Sequence, residues 1–117
     1  MIKVILKNME INVLQYKDYT SVSIQGRVDT MTAGDFENRL MEILGDGVTK
    51  LLLDCSDLTY ISSSGLRVFL VAQKKILATG GILRICCLKP EIKDIFDISG
   101  FSVIFSIFSD VEKATSD

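Results

Sequence analysis

The period of the hydrophobic pattern changes several times along this chain, and these changes restrict its fold more than any other sequence feature. Apolar residues recur at about every second position over 9–16 and 21–28, with a short polar turn between them, which predicts an antiparallel hairpin. Beyond this hairpin, segments with a helical period alternate with short apolar runs that are typical of buried strands. The predicted helices cover 32–45, 66–77, 90–99 and a short terminal segment from 109, and the predicted strands cover 48–55, 82–87 and 102–108.

This order of elements, β-β-α-β-α-β-α-β-α, predicts an α/β fold. Strands separated by single helices lie parallel to one another with right-handed crossovers, whereas the hairpin adds an antiparallel pair at one side. We therefore expect a single mixed sheet of about five strands with roughly four helices. The chain has 117 residues and one proline and lacks Ser/Gly-rich stretches, so we expect one domain over 1–117 with its core at 9–111. Residues 1–8 alternate loosely, and the sequence leaves open whether they form an extra edge strand, a lead-in or a homodimer contact.

Several residues mark the ends of the predicted helices. Thr32 followed by Asp35 resembles a hydroxyl cap with an acidic residue in the first turn. Pro90 fits the first turn of the third helix, where the missing N–H costs nothing. Ser109 and Glu112 have the spacing of a capping box, which predicts that the terminal helix opens at Ser109.

The absence of histidine excludes the most common catalytic and metal-binding arrangements. Ser-His and Cys-His nucleophiles cannot form, and the most frequent zinc ligand is missing. A net charge of −2 gives no basic surface for nucleic acid or an anionic membrane. The sequence shows no signal-peptide pattern and no apolar run of the roughly 20 residues that a spanning helix needs. We expect a cytoplasmic, non-catalytic protein without a cofactor.

Three cysteines occupy predicted buried strands. Cys55 ends one apolar run, and Cys86 and Cys87 end another, where a free cysteine behaves as a small hydrophobic residue. Adjacent residues of a strand point to opposite faces, so we expect that Cys86 and Cys87 do not bind one ion together. Asp54 and Asp57 offer a carboxylate pair for Mg²⁺, but they fit the end of a strand and the following turn better. The sequence therefore predicts no metal site.

The most informative segment joins a buried strand to an amphipathic helix and contains Ser62, Ser63, Ser64 and Gly65. In open α/β sheets, ligands and partners meet the loops that follow the carboxyl ends of the strands. A helix that begins here offers free N–H groups and a partial positive charge. One serine capping the helix accounts for only part of this run. A phosphate-binding loop is disfavoured because the lysine and further glycines of such loops are missing.

A second segment leaves the hairpin and enters the first helix through Gly26, Arg27, Val28 and Asp29. In a purely structural interpretation, Gly26 permits a bend, and Asp29 satisfies N–H groups at the helix start. In a functional interpretation, Asp29 lies beside the serine segment at the same end of the sheet. That proximity requires the two strands that lead to these segments to end at a shared edge.

These segments, in this order, resemble the STAS domain family, and most closely its bacterial anti-sigma factor antagonists. The resemblance is carried by residues 26–29, 51–54 and 60–66, is supported by 90–101, and extends over about 9–111. It implies that Ser63 is the serine phosphorylated by a partner kinase, with Ser62 and Ser64 as alternates, because Ser62 stands where the family often has an aspartate. It also implies a partner-binding surface, which comprises Gly26, Asp29, Thr30, Ser62, Ser63, Ser64, Gly65, Leu66 and Arg67.

The implied function is a switch. The unmodified protein would bind an anti-sigma factor that is a serine kinase and so release the sigma factor, and a phosphatase would reverse the phosphorylation. Leu66 lies at helical spacing with Leu70, which fits the core better than a contact. Two alternatives stay open: a STAS scaffold that is never phosphorylated, in a stress-signalling or transporter-associated assembly, and a small α/β enzyme or nucleotide-binding protein.

Overall fold

The computed structural model describes the backbone of residues 2–6 and all atoms of residues 8–116. Within these ranges, one sheet contains seven strands: β1 (Ile2–Leu6), β2 (Met9–Tyr16), β3 (Tyr19–Val28), β4 (Lys50–Asp54), β5 (Leu58–Ile61), β6 (Ile82–Cys86) and β7 (Ser106–Phe108). Five helices accompany it: α1 (Ala33–Gly45), α2 (Ser63–Ala78), α3 (Pro90–Ile98), α4 (Phe101–Ile104) and α5 (Val111–Thr115). The predicted α/β fold with a single mixed sheet is confirmed.

The sheet has antiparallel pairs at one side and parallel pairs elsewhere. Its order is β1-β2-β3-β4-β6-β7, where β1, β2 and β3 are antiparallel neighbours and the remaining pairs are parallel. Strand β3 pairs with β4 along its first half and with β5 along its second half. Strands β1 and β5 are the two that exceed the predicted number. Residues 2–6 thus form the extra edge strand, and Met1 and Lys7 lie outside the described residues.

Both faces of the sheet are covered, which explains the continuous apolar run in β4. Leu51 and Leu53 pack into the larger core, whose helices contribute Phe36, Phe69 and Phe96. Leu52 faces the other side, where Ala114 of α5 covers it. All three leucines are fully buried, as a central strand requires.

The predicted final strand over 102–108 is wrong in its first half, because residues 101–104 form α4. Phe101 and Phe105 stand four residues apart, and both rings pack against Phe96 with centroids 6.3 and 6.1 Å away. The Phe105 N–H also donates to the Phe101 carbonyl at 3.1 Å. Only Ser106–Phe108 joins the sheet, beside β6. Packing on Phe96 therefore overrides the strand propensity of this aromatic segment.

Two predicted caps differ from the structure. Thr32 holds the N-cap position of α1, but its hydroxyl donates to the Arg27 carbonyl at 3.0 Å and accepts from the Asp29 N–H at 3.0 Å. At α5 the cap is Asp110, whose carboxylate accepts from the Lys113 N–H at 2.8 Å.

The capping box of the terminal helix does not form because its acidic member is engaged elsewhere. Glu112 accepts hydrogen bonds from the Tyr16 hydroxyl and from the Lys17 ammonium group, which lie at the β2–β3 turn. The helix start consequently moves one residue, from Ser109 to Asp110. Among the described residues, no helix is both long enough and apolar enough to cross a membrane.

Candidate functional site

The two segments singled out in the sequence meet where β3 and β5 end. Val28 and Ile61 are register partners, and the Ser62 N–H donates to the Val28 carbonyl at 2.9 Å. Asp29 and Ser62 therefore follow two strands that end side by side. The expected proximity exists, but the chain reaches the serine segment through β5, a four-residue strand that was not among the predicted elements.

The serine segment forms the start of α2. Ser62 is the N-cap, and its hydroxyl oxygen accepts from the Gly65 N–H at 3.2 Å. Ser63 is the first helical residue and is exposed, whereas Ser64 is half-buried. The first turn of α2 contains no acidic residue. The positive end of the helix dipole therefore has no negative side chain of its own first turn beside it.

Asp29 shapes the turn between β3 and α1. One oxygen of its half-buried carboxylate, Oδ1, accepts from the Met31 N–H at 2.9 Å and the Thr32 N–H at 3.2 Å. The other oxygen, Oδ2, lies 3.7 Å from Nε of Arg27. The structural role proposed from sequence and the position beside the serine segment are thus both present in this one residue.

Three of the predicted partner-binding residues have a role in the fold. Gly65 is buried, and a Cβ atom there would lie 2.8 Å from Cγ1 of both Val28 and Ile61. Gly26 has a φ of +99° at an irregularity of the β3–β5 ladder, and a Cβ atom would lie 2.4 Å from the Asn8 carbonyl oxygen. Leu66 is 8% exposed and belongs to the core, as its spacing indicated.

The segments at this end of the sheet also carry exposed residues outside the predicted partner-binding set. Within that set, Thr30 and Arg67 are exposed, and Arg67 forms a 2.9 Å ion pair with Glu37 of α1. Met31 is 64% exposed in the turn after Asp29. Tyr60 is 38% exposed, and the Arg27 guanidinium stacks on its ring at 4.1 Å from the centroid. The β3–β5 register, which pairs Arg27 with Tyr60, would have revealed this contact.

The cysteines do not all follow the sequence-based argument. Cys55 is fully buried, as expected, but the side chains of Cys86 and Cys87 do not lie on opposite faces. Their sulfur atoms are 2.8 Å apart, because Cys87 follows the end of β6 and has a φ of +70°. Burial raises the pKa of the Cys55 and Cys86 thiols far above the ordinary value.

The carboxylate pair considered for Mg²⁺ serves the turn after β4. Oδ1 of Asp54 accepts from the N–H and the hydroxyl of Ser56, at 3.1 and 2.9 Å, in an Asx-type turn. The carbonyl of Asp57 accepts from the Gly26 N–H at 2.9 Å. These two residues thus fix the path of the chain from β4 into β5.

Comparison with known proteins places this geometry in a family. The family model of the STAS domain matches residues 10–114. The chain belongs to the STAS domain family. Among its relatives, BtrV of Bordetella bronchiseptica, which is provisionally named an anti-sigma factor antagonist, is 38% identical over 93 residues, or 80% of each chain. This places the chain with the anti-sigma factor antagonists of the family.

Solved STAS structures share the fold. An anti-sigma factor antagonist from Mycobacterium paratuberculosis superposes with a TM-score of 0.83 at 20% identity, covering 91% of this chain and 90% of that one. The Bacillus cell fate determinant SpoIIAA, solved in its phosphorylated form, gives a TM-score of 0.69 at 17% identity, covering 89% of this chain and 95% of that one. The STAS fold therefore extends over nearly the whole chain.

Proposed function

We propose that this STAS protein is an anti-sigma factor antagonist controlled by phosphorylation of Ser63. In its unmodified form it binds an anti-sigma factor that is also a serine kinase, and this binding releases the sigma factor. Phosphorylation ends the complex, and a phosphatase restores the active form. In this proposal the protein acts in the cytoplasm as a regulator and catalyses no reaction of its own.

The observation that carries the proposal is the position of the Ser63 hydroxyl. Ser63 is exposed at the first position of α2, where a kinase active site has access to it. Ser63 follows Ser62, and the Ser62 N–H donates a hydrogen bond to the carbonyl of Val28, the residue before Asp29. The provisional name of BtrV supports the role as an anti-sigma factor antagonist, and the phosphorylated form of SpoIIAA supports control by phosphorylation.

The charge of a phosphoserine explains how the modification could act without refolding. The group carries about −1.5 to −2 charges at neutral pH. Within this protein the dipole of α2 favours a negative group at its first turn. Against a docked partner, the same charge lies near the Asp29 carboxylate and loses its water. A penalty of about 3 kcal/mol in the complex weakens binding more than a hundredfold.

The proposed docking face surrounds this hydroxyl and combines apolar and charged groups. Met31 and Tyr60 supply exposed apolar area, and Thr30 and Arg67 lie on the turn and helix beside them. Aromatic, methionine and arginine side chains are the types enriched in protein interfaces. Gly26, Gly65 and Leu66 pack beneath this surface and maintain the backbone that carries it.

The first experiment captures the partner from a lysate of the native host and then measures binding of the purified pair by calorimetry. Ser63→Asp should weaken binding more than a hundredfold, whereas Ser63→Ala should bind like the wild type. Ser106→Asp is the matched control, because Ser106 is an exposed serine on the edge strand β7. Equal affinity of the wild type and Ser63→Asp would refute the proposal.

The second experiment identifies the modified residue. Incubation with the captured kinase and ATP should add the mass of one phosphate to the wild type and to the Ser62→Ala and Ser64→Ala variants. Ser63→Ala should gain none. Phosphate on Ser62 or Ser64 would show that Ser63 is not the modified residue. If no serine gains phosphate, the result would favour the scaffold function.

A further inference from the structure

A group of three potential metal ligands lies at the carboxyl ends of β4 and β6. Asp54 and Cys86 are the last residues of these parallel strands and are register partners in the ladder. Cys87 follows directly. A carboxylate oxygen of Asp54 and the sulfur atoms of Cys86 and Cys87 all lie within 4.8 Å of one another. The sheet itself thus brings two thiols and one carboxylate together.

The backbone of Cys87 is what places its sulfur atom beside that of Cys86. Its φ of +70° is in the left-handed region, which is unfavourable for a residue other than glycine. A 3.1 Å hydrogen bond from its N–H to the Phe108 carbonyl of β7 supports this conformation. An ordinary strand residue would point to the opposite face. This chain instead maintains a strained backbone that pairs two thiols.

Hydrogen bonds from Ser56 fix the position of the Asp54 carboxylate. Oδ1 is held by the N–H and hydroxyl of Ser56 at 3.1 and 2.9 Å. Hydrogen bonds of this kind fix ligating carboxylates in metal sites and raise the affinity for the ion. Asp54 is half-buried, Cys86 is buried and Cys87 is half-buried, so an ion could enter from the Cys87 side.

We propose that Asp54, Cys86 and Cys87 form a binding site for a thiophilic divalent cation, with Zn²⁺ as the reference ion. The two sulfur atoms and one carboxylate oxygen supply three ligands, and a water molecule completes a tetrahedron. Binding converts both thiols to thiolates and releases two protons to solvent, so that the ion is held by three negative ligands. No oxidant or reductant is consumed.

The geometry favours an ion over a disulfide. Adjacent Cα atoms are about 3.8 Å apart, below the roughly 4.4–6.8 Å that disulfides usually span. Zinc–sulfur bonds of about 2.3 Å in a tetrahedron place two sulfur atoms about 3.8 Å apart. The sulfur atoms of Cys86 and Cys87 are 2.8 Å apart and must separate by roughly 1 Å on binding. Rotation of the half-exposed Cys87 side chain can supply this movement.

The test measures binding of Zn²⁺ to the full chain under reducing conditions, by competition with a chromophoric chelator. One ion per chain is expected, and Co²⁺ in its place should show a sulfur-to-metal charge-transfer band. Cys87→Ser should weaken binding by about a hundredfold or more, because it removes a ligand and not merely a supporting group. Asp54→Asn should weaken binding and keep the charge-transfer band, since both sulfur atoms remain.

Cys55→Ala is the matched control. Cys55 is also a free cysteine and follows Asp54 in the sequence. Its sulfur atom is buried, lies 3.8 Å from the Leu53 carbonyl oxygen and does not belong to the group of three ligands. This variant should bind Zn²⁺ as the wild type does. Circular dichroism identifies any variant that fails to fold, and Asp54→Asn then tests the site if Cys87→Ser is lost.

Three outcomes would overturn the proposal. The first is a Kd for Zn²⁺ above about 10 μM, which corresponds to a binding free energy under roughly 7 kcal/mol. The others are a cobalt complex without the sulfur-to-metal band and equal affinity of Cys87→Ser and the wild type. None of these measurements involves the sigma factor pathway. The failure of this site and the failure of the proposed switch are therefore distinguishable.

Discussion

Replacing Gly65 by alanine should destabilise this protein, although alanine is the better helix former. Gly65 is the third residue of α2, and its Cα faces the end of β3. An added Cβ would lie 2.8 Å from Cγ1 of Val28 and of Ile61 and 3.1 Å from the Val28 carbonyl oxygen. Carbon atoms in favourable contact are about 3.5–4.0 Å apart, so α2 or its neighbours must move.

The expected magnitude follows from two opposing effects. Overpacking of a well-filled core costs about 1–3 kcal/mol. The exchange of glycine for alanine inside a helix returns up to about 1 kcal/mol. We therefore expect a net loss of about 1 kcal/mol in the free energy of unfolding, which would lower Tm by roughly 3–6 °C for a chain of this length.

Gly34→Ala is the control for this variant. Gly34 lies in the first turn of α1, is exposed, and has no atom within 4 Å of an added Cβ. The same exchange should be neutral or gain about 0.5 kcal/mol there. Because the chain has no tryptophan, urea unfolding is followed by far-ultraviolet circular dichroism. The reasoning is refuted if Gly65→Ala is as stable as Gly34→Ala.

Three further variants test the surroundings of the site. Ser62→Ala removes the α2 cap and should cost about 1 kcal/mol in urea unfolding, whereas Ser62→Asp should retain the stability. Gly26→Ala places a Cβ 2.4 Å from the Asn8 carbonyl oxygen at a φ of +99° and should cost more than Ser62→Ala; equal losses would contradict this. A hydrogen bond from Lys50 holds the pKa of Asp18 below its usual value of 3.8. The resulting stabilisation is present above pH 3.8 and is lost as the pH falls through the pKa of Asp18 in the folded state. In the Asp18→Asn variant, the urea concentration at the midpoint of unfolding should therefore fall less steeply at acidic pH than in the wild type.

The alternation of periods was sufficient to predict the fold class because it reports burial directly. Leu51–Leu53 are buried on both sides, and a continuous apolar run carries that information in the sequence. Strand β5 gave no such signal. It has four residues, and its two middle side chains, Thr59 and Tyr60, are both exposed, so neither alternation nor an apolar run is present. Its pairing with β3 is a long-range property.

Other differences arise where a distant contact decides between two local options. Phe101 and Phe105 have strand propensity, but their common contact with Phe96 selects a helical turn. Glu112 has the spacing of a capping residue, but Tyr16 and Lys17 bind it. Tyr16 and Lys17 lie 96 and 95 positions from Glu112, beyond any local pattern, and Phe96 belongs to the preceding helix α3.

The sequence predicted that the segments around Asp29 and Ser62 lie side by side, and the structure brings them together at the ends of β3 and β5. Ser63 and Asp29 could be selected because both follow strands at one edge of an α/β sheet. Whether a nearby glycine supports the fold or contacts a partner depends on what its missing Cβ would meet, which the sequence does not contain. Cys87 is a related case, since the alternation rule applies only within a strand and this residue stands just outside β6.

The single hydrogen bond between Ser62 and Val28 also bears on how such chains can vary in length. One extra residue within 58–61 would shift the register between β3 and β5, so that the Ser62 N–H would no longer meet the Val28 carbonyl. An extra residue in the exposed turn at 46–47, directly after α1, would leave that hydrogen bond intact. Among homologues, insertions and deletions should therefore accumulate at 46–47 and be absent from 58–64.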